Sequence, residues 1–265
     1  MRYLRQLIRE TLLQERAATP QMASQKNLAL AVYTEGRSER SYVLFDRNQF
    51  VHFLIQEMRS WVKDYHFKLT VSDILKKLGG NYGYSSAFAA GMADHASEFI
   101  VGTIEIVKPR LSTTRSNGAW EVHGPAASEN YGPMMYDIAM SDVGELMPDR
   151  LAVSPSAAKV WRYYKDKRSD VVSTPLDNID DPLTPPKSDD AHLYNTDPED
   201  FGNYLDSSYH LSGQGPDVES LKASYQQLEG YLEKHLKMNP GITRQILKRA
   251  MGSFFNKKDA AQYQR

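Results

Sequence analysis

"AWEVHGPAASENYGPMMYDIAM", residues 119–140, is the stretch on which the fold turns. Trp120 and Val122 alternate with Glu121 and His123, so the segment opens as a strand with two apolar side chains on one face and an acid and an imidazole on the other. A polar turn follows. Pro133 stands just inside it, where a missing amide hydrogen costs nothing in the first turn of a helix. Met134, Met135, Ile138 and Ala139 can then face a sheet. Two alternatives follow for the turn: a cradle for a phosphate-bearing cofactor, or simply a well-formed helix start.

Upstream, "NLALAVYTEGRSERSYVLFD" carries two β-rich runs around Gly36, a hairpin signal. Phe50, Val51, Phe53, Leu54, Met58, Trp61 and Val62 recur at helical spacing and predict a helix over 47–64. "VSDILKKLGG" predicts a short helix, capped by Ser72 and ended by Gly79-Gly80. "GGNYGYSS" is glycine-rich without the Lys-Ser/Thr of a phosphate loop and reads as a turn. "EFIVGTIEIVKPR" predicts a buried strand, returned to the Trp120 strand through the Asn117-Gly118 turn.

Downstream, "DRLAVSPSAAKVWRYYKDKRSD" predicts a short strand and then a helix with Ser154 as its cap and Pro155 at its first position. The elements together predict an α/β (α+β) domain, with a mixed central sheet flanked by helices, over 27–172. Residues 173–215 form an acidic Pro/Asp-rich arm. Within 216–262 lie two apolar stripes, from Val218 to Leu236 and from Ile242 to Phe254, which predict a helical hairpin turning at Pro240-Gly241. If the two stripes bury each other, the hairpin is a module of its own; otherwise it offers a dimer or docking surface. Residues 1–26 read as a basic amphipathic leader helix, with Leu4, Leu7, Ile8 and Leu12 among Arg2, Arg5 and Arg9, followed by a linker.

Composition narrows the chemistry. In 265 residues there is no cysteine, which excludes disulfides, thiolate nucleophiles and cysteine-held metals. The histidines show no zinc-site spacing, and no metal is expected. No apolar run is long enough to cross a bilayer and no secretory leader is recognisable, so a soluble, non-exported protein without a membrane partner is expected. The net charge of −1 conceals an acidic stretch from Asp170 to Glu219, where Lys187 is the only Lys or Arg, and a basic tail from Lys234 to Arg265. That tail lacks aromatic interleaving and reads as a solvated helix face pairing with the acidic arm rather than as a nucleic-acid grip.

The order of strand, turn, helix, strand and second helix beginning "SPSAAKVWRYY" resembles the GNAT acyltransferases. In that family a Gln/Arg-x-x-Gly-x-Gly/Ala turn holds the pyrophosphate of acetyl-CoA through backbone amides and a helix N-terminus. Here Ala127 stands at the Gln/Arg position, Asn130 at the first glycine and Gly132 at the second, with Tyr131 between them. Asn130 can take the left-handed conformation that glycine supplies, whereas Pro133 has no amide to offer. In the second helix Trp161 occupies the position of the family's acid tyrosine, and Tyr164, one turn on, is the candidate proton donor to the leaving thiolate. Glu121 and His123 are the candidate general bases.

The resemblance thus implies an acyl-CoA-dependent N-acyltransferase using acetyl-CoA. "LRQLIRETLLQE" and the Leu13-Gln14-Glu15 tripeptide are similar to leaders and protease sites of tailed-bacteriophage proteins, some of which carry GNAT-like domains. That likeness implies residence in the host cytoplasm or the virion, and phage structural proteins as partners through the N-terminal helix and C-terminal hairpin. It keeps a second function open: a non-enzymatic virion or head-assembly protein that uses the same scaffold for docking.

Overall fold

The computed structural model describes residues 27–64, 82–109, 118–149, 153–175, 204–205, 207–236 and 238–263. The leader over 1–26, the helix expected within 71–80, the Asn117 side of the hairpin turn and most of the acidic arm lie outside the described residues.

Strands β1 (Leu28–Glu35) and β2 (Glu39–Asp46) form the expected hairpin, with Gly36 at φ +64° in the left-handed region that its turn requires. Helix α1 (Arg47–Asp64) follows directly, because the Asp46 carboxylate accepts from the amides of Asn48 and Gln49 at 2.8 and 3.0 Å and so caps its start. Helix α2 (Tyr82–Asp94) takes up the end of the stretch expected as a glycine-rich turn. Its Phe88, Ala89 and Met92 are fully buried, and that packing outweighs the poor helix propensity of Gly83 and Gly91. Helix α3 (Ala96–Phe99) precedes β3 (Ile100–Val107) and β4 (Trp120–Ala127). Helix α4 (Gly132–Val143) leads into β5 (Glu145–Met147), which lies before the Arg150 region where a strand was expected. Then come α5 (Pro155–Lys167), β6 (Val171–Pro175), β7 (Ser207–Leu211), α6 (Val218–Leu236) and α7 (Pro240–Tyr263).

The sheet has seven strands in the order β1-β2-β3-β4-β5-β7-β6. Neighbours pair antiparallel except β4 and β5, which are parallel and joined by the α4 crossover. Both faces of β1 to β4 are covered, so these strands are apolar at successive positions rather than at alternate ones. Leu28, Leu30, Tyr42 and Leu44 pack towards α4 and α5, while Ala29, Ala31, Val43 and Phe45 pack towards α1, α2, α6 and α7.

Two boundaries differ from the expectation. The sheet does not end near Val172: β6 and β7 pair from Val171↔Leu211 to Pro175↔Ser207, so the acidic arm is a connection between two strands of one sheet. Its long, polar, aperiodic sequence conceals that return. The C-terminal helices do form a pair, but their stripes are buried against the domain rather than only against each other. Leu228, Leu232, Ile242, Ile246 and Phe254 join one core with Phe50, Phe88 and Phe99. Pro240 is the first helical residue of α7 rather than part of the turn, and Asn239 Oδ1 accepts from Gly241 N at 2.8 Å to cap it. The basic tail is tied to the domain: Lys248 pairs with Glu35 at 2.6 Å, and Lys257 donates to the carbonyl of Asp94 at the C-terminal end of α2. Among the described residues no helix is long and apolar enough to cross a membrane.

One carboxylate ties three layers together. Asp142, near the end of α4, accepts from Arg40 (2.6 Å) and Tyr42 (2.8 Å) on β2 and from Lys222 (2.5 Å) on α6. Burial alone would raise the pKa of its carboxyl, but the hydrogen bonds from Lys222, Tyr42 and Arg40 outweigh burial and the net shift is downward. A carboxyl lowered in the folded state stabilises the protein above the unfolded pKa of about 3.9, and the contribution is lost as pH falls through the folded value. Asp142→Ala should destabilise the fold by about 2 kcal/mol, less than for a fully buried pair because Arg40 is 34% exposed. Urea unfolding of the two proteins at neutral pH and below about pH 4 should show the difference shrinking in acid.

Candidate functional site

The parallel partnership of β4 and β5 is short: Trp120 faces Leu146 and Glu121 faces Met147, and no further pair follows. From His123 onward, no described strand lies on that side of β4. On the other side the register against β3 slips, since Thr103 pairs with Ala126 whereas Glu105 pairs with His123, which places an extra residue in β4. Gly124, at φ +52°, takes the left-handed conformation of this bulge, and Pro125 beside it donates no amide. A Gly-Pro pair inside a strand pattern was the sequence signal for it.

The free edge of β4 borders a cleft of about 180 Å³. Its walls are Pro125 to Ser128 from β4 and the turn, Gly132, Met135 and Tyr136 from α4, and Ser154, Ser156, Ala157 and Val160 from the start of α5. Thr103 and Lys258 complete it from β3 and α7. The starts of two helices therefore open on one space, with first-turn amides that their own helices cannot use. Ser154 caps α5 as expected, its Oγ accepting from Ala157 N at 3.2 Å.

Two side chains in the wall are conspicuous. Thr103 and Tyr136 are each 2% exposed, and their hydroxyls are buried without a hydrogen-bond partner. An unpartnered buried hydroxyl costs about 1–3 kcal/mol, and among the described residues Tyr33 and Thr243 carry the same feature away from the cleft.

Of the sequence-predicted cofactor residues, Ala127 and Gly132 line the cleft. Asn130 shapes the turn from outside the wall, in the left-handed conformation at φ +68°. Tyr131 precedes the first residue of α4, and its side chain is buried in the core. Glu121 and His123 do come together, on the face of β4 opposite Trp120 and Val122, but neither lines the cleft. His123 Nε2 lies 3.4 Å from Glu121 Oε1 and Nδ1 lies 3.9 Å from Asp149 Oδ2. Asp149 was not foreseen, because it arrives through β5, two residues past the strand's end. These three side chains could each offer a donor to a metal ion within a 4.8 Å span. The ring, however, stands between the carboxylates with one nitrogen towards each, which is the arrangement of an imidazolium bridging two acids rather than of three ligands around one ion. Glu121 raises the pKa of His123 most, against the opposing effect of burial, and Asp149 and Glu105 add to the rise.

Tyr164 departs from its expected role as proton donor. It is 1% exposed, and its hydroxyl has two acceptors for its one proton, the carbonyl of Pro133 at 2.6 Å and Asp137 Oδ1 at 2.8 Å. Asp137 is in turn held by Arg168 at 3.1 Å. The helical wheel puts Tyr164 on the same inward face as Trp161, so tertiary packing turns it into a strut between α5 and the start of α4. Trp161 stacks edge-on against Tyr136 at 4.9 Å, forming the wall behind the unpartnered hydroxyl. Comparison with protein-family models, curated proteins and solved structures finds no match to this chain.

Two outcomes test this geometry. The proton of His123 should titrate above the ordinary 6.5 by NMR, and Glu121→Gln should bring the midpoint down. Because the folded pKa is raised, the stability contributed by this cluster should be complete below about pH 6.5 and fade as pH rises through the folded value. Tyr164→Phe, which removes one donor to Asp137 and to Pro133, should lower stability in denaturant by about 2 kcal/mol and leave the cleft's ligand affinity within about twofold.

Proposed function

We propose that this protein is an acyl-CoA-dependent N-acyltransferase with a GNAT-like architecture, its coenzyme lying along the free edge of β4. The observation that carries the reading is the pair of unpartnered hydroxyls, Thr103 and Tyr136, buried in the one cleft that opens where β4 leaves β5. An amide-bearing arm could take both hydroxyls and the unpaired strand edge. The amides of Gly132 and Met134, in the first turn of α4, would face the phosphates.

Coenzyme A would bring the activated thioester to this site. The chain's own part is to bind and orient it and to move a proton. Farther back along β4 from the phosphate turn, neutral His123 would accept the proton of an amine acceptor, and Glu121 and Asp149 would stabilise the imidazolium that results. Because these acids raise the His123 pKa, the imidazole is a base only in the fraction of molecules that has lost its proton. Tyr136 replaces Tyr164 as the hydroxyl that faces the ligand.

Calorimetry of the full chain with acetyl-CoA tests the reading. Saturating ligand at about a hundred times its dissociation constant should stabilise the fold by about 2.7 kcal/mol, several degrees in thermal unfolding. The Cβ of a residue placed at Gly132 would lie 3.8 Å from Val160 Cγ2, so Gly132→Phe should fill the cleft and reduce affinity at least tenfold while the free protein remains folded. A flat titration on folded wild-type protein would overturn the reading and leave the docking-protein alternative.

A further inference from the structure

The cleft has a wall that belongs to neither β4 nor the two helices beside it. Lys258 comes from near the C-terminal end of α7, far from the other lining residues in sequence, and among the described residues it is the sole Lys or Arg in the lining. Three other basic side chains of α7 are committed elsewhere: Lys257 to the Asp94 carbonyl, Arg249 to Ser86 and Lys248 to Glu35. Lys258 has only its own Phe254 ring beneath the ammonium, at 5.5 Å. Its backbone is well anchored. Phe254 is 1% exposed, and the Phe255 ring lies so close to the β4 bulge that a Cβ at Gly124 would be 3.2 Å from its Cε2. The helix thus delivers one cation from a fixed base to the cleft.

The remaining donors of the cleft are neutral. The phosphate turn offers backbone amides, Pro133 offers none, and the serines at the start of α5 are uncharged. An anionic ligand would otherwise enter with no countercharge. Together with the unpartnered Thr103 on the same side of β4 as α7, this makes the C-terminal helix part of the binding site. We propose that Lys258 grips a phosphate group of the cleft's ligand, and that α7 is thereby the fourth wall of the site; the identification of that phosphate as coenzyme A's rests on the acyltransferase reading above.

The test compares wild type, Lys258→Met and Lys258→Arg as full chains, with acetyl-CoA, S-acetylpantetheine, which has no phosphate, and inorganic pyrophosphate. Met keeps the apolar stem on Phe254, and equal melting temperatures of the free proteins confirm intact folds. Acetyl-CoA should bind Lys258→Met about ten- to a hundredfold more weakly, with Arg restoring most of the loss, while S-acetylpantetheine should bind all three alike. Raising salt should weaken wild-type binding more than that of the Met variant. Equal acetyl-CoA affinity in wild type and Lys258→Met would overturn the role of Lys258 and leave the acyltransferase reading standing. If acetyl-CoA binds neither, that reading fails, and pyrophosphate decides: protection of wild type but not Lys258→Met sustains the phosphate grip, and protection of neither overturns it.

Discussion

A parallel strand pair that stops after two residues governs this molecule. Strand backbones carry donors and acceptors on both edges, and a buried edge must find partners. β4 finds them in β3 along its length but in β5 only at Trp120 and Glu121. Among the described residues its second half therefore has no strand partner on that edge, beside the part of the sheet, β1 to β4, that is covered on both faces, and a ligand can pair with backbone there without disturbing the core. The bulge at Gly124 bends the strand there, and the short β5 lets Asp149 swing back towards His123.

The remaining elements keep that gap from collapsing. Asp142 fastens α4 to β2 and α6, and Tyr164 fastens α5 to the first turn of α4 through the Pro133 carbonyl. The Tyr164 bond joins α5 to the start of α4, and Asp142 anchors the other end of α4. The cost of such rigidity is visible in the wall, where Thr103 and Tyr136 keep buried hydroxyls without partners. On the other face, α6 and α7 fill the hydrophobic layer over the sheet, and the same packing that stabilises the fold brings Lys258 to the cleft.

The electrostatics divide the region in two. Around His123 the neighbours are acids, and they favour the protonated ring. At the turn before α4, the helix N-termini and Lys258 favour an anion, and the exposed Glu129 within the turn opposes it. A ligand with a negative end and an end that reacts with an amine matches this polarity, and no single residue creates it.

Local sequence determined much of this. Local pattern identified the β1–β2 hairpin, the span of α1, the cap at Ser154, the helix start at Gly132-Pro133, and the C-terminal helical pair, because each is a short-range choice made by neighbouring residues. Alternation along β4 put Glu121 and His123 on one face, and the chemistry of Asn130 anticipated its left-handed backbone. What depended on distant partners was not legible: the return of β7 into the sheet after the long arm, the role of Tyr164, the arrival of Asp149 and the reach of Lys258. A side chain's residue type says what it can bond, but only packing decides whether its partner is a ligand, a carbonyl or an acid from another strand. Tyr136 and Tyr164 make the point, being alike in sequence terms and both buried; Tyr164 is spent on Pro133 and Asp137, and the Tyr136 hydroxyl is left without a partner.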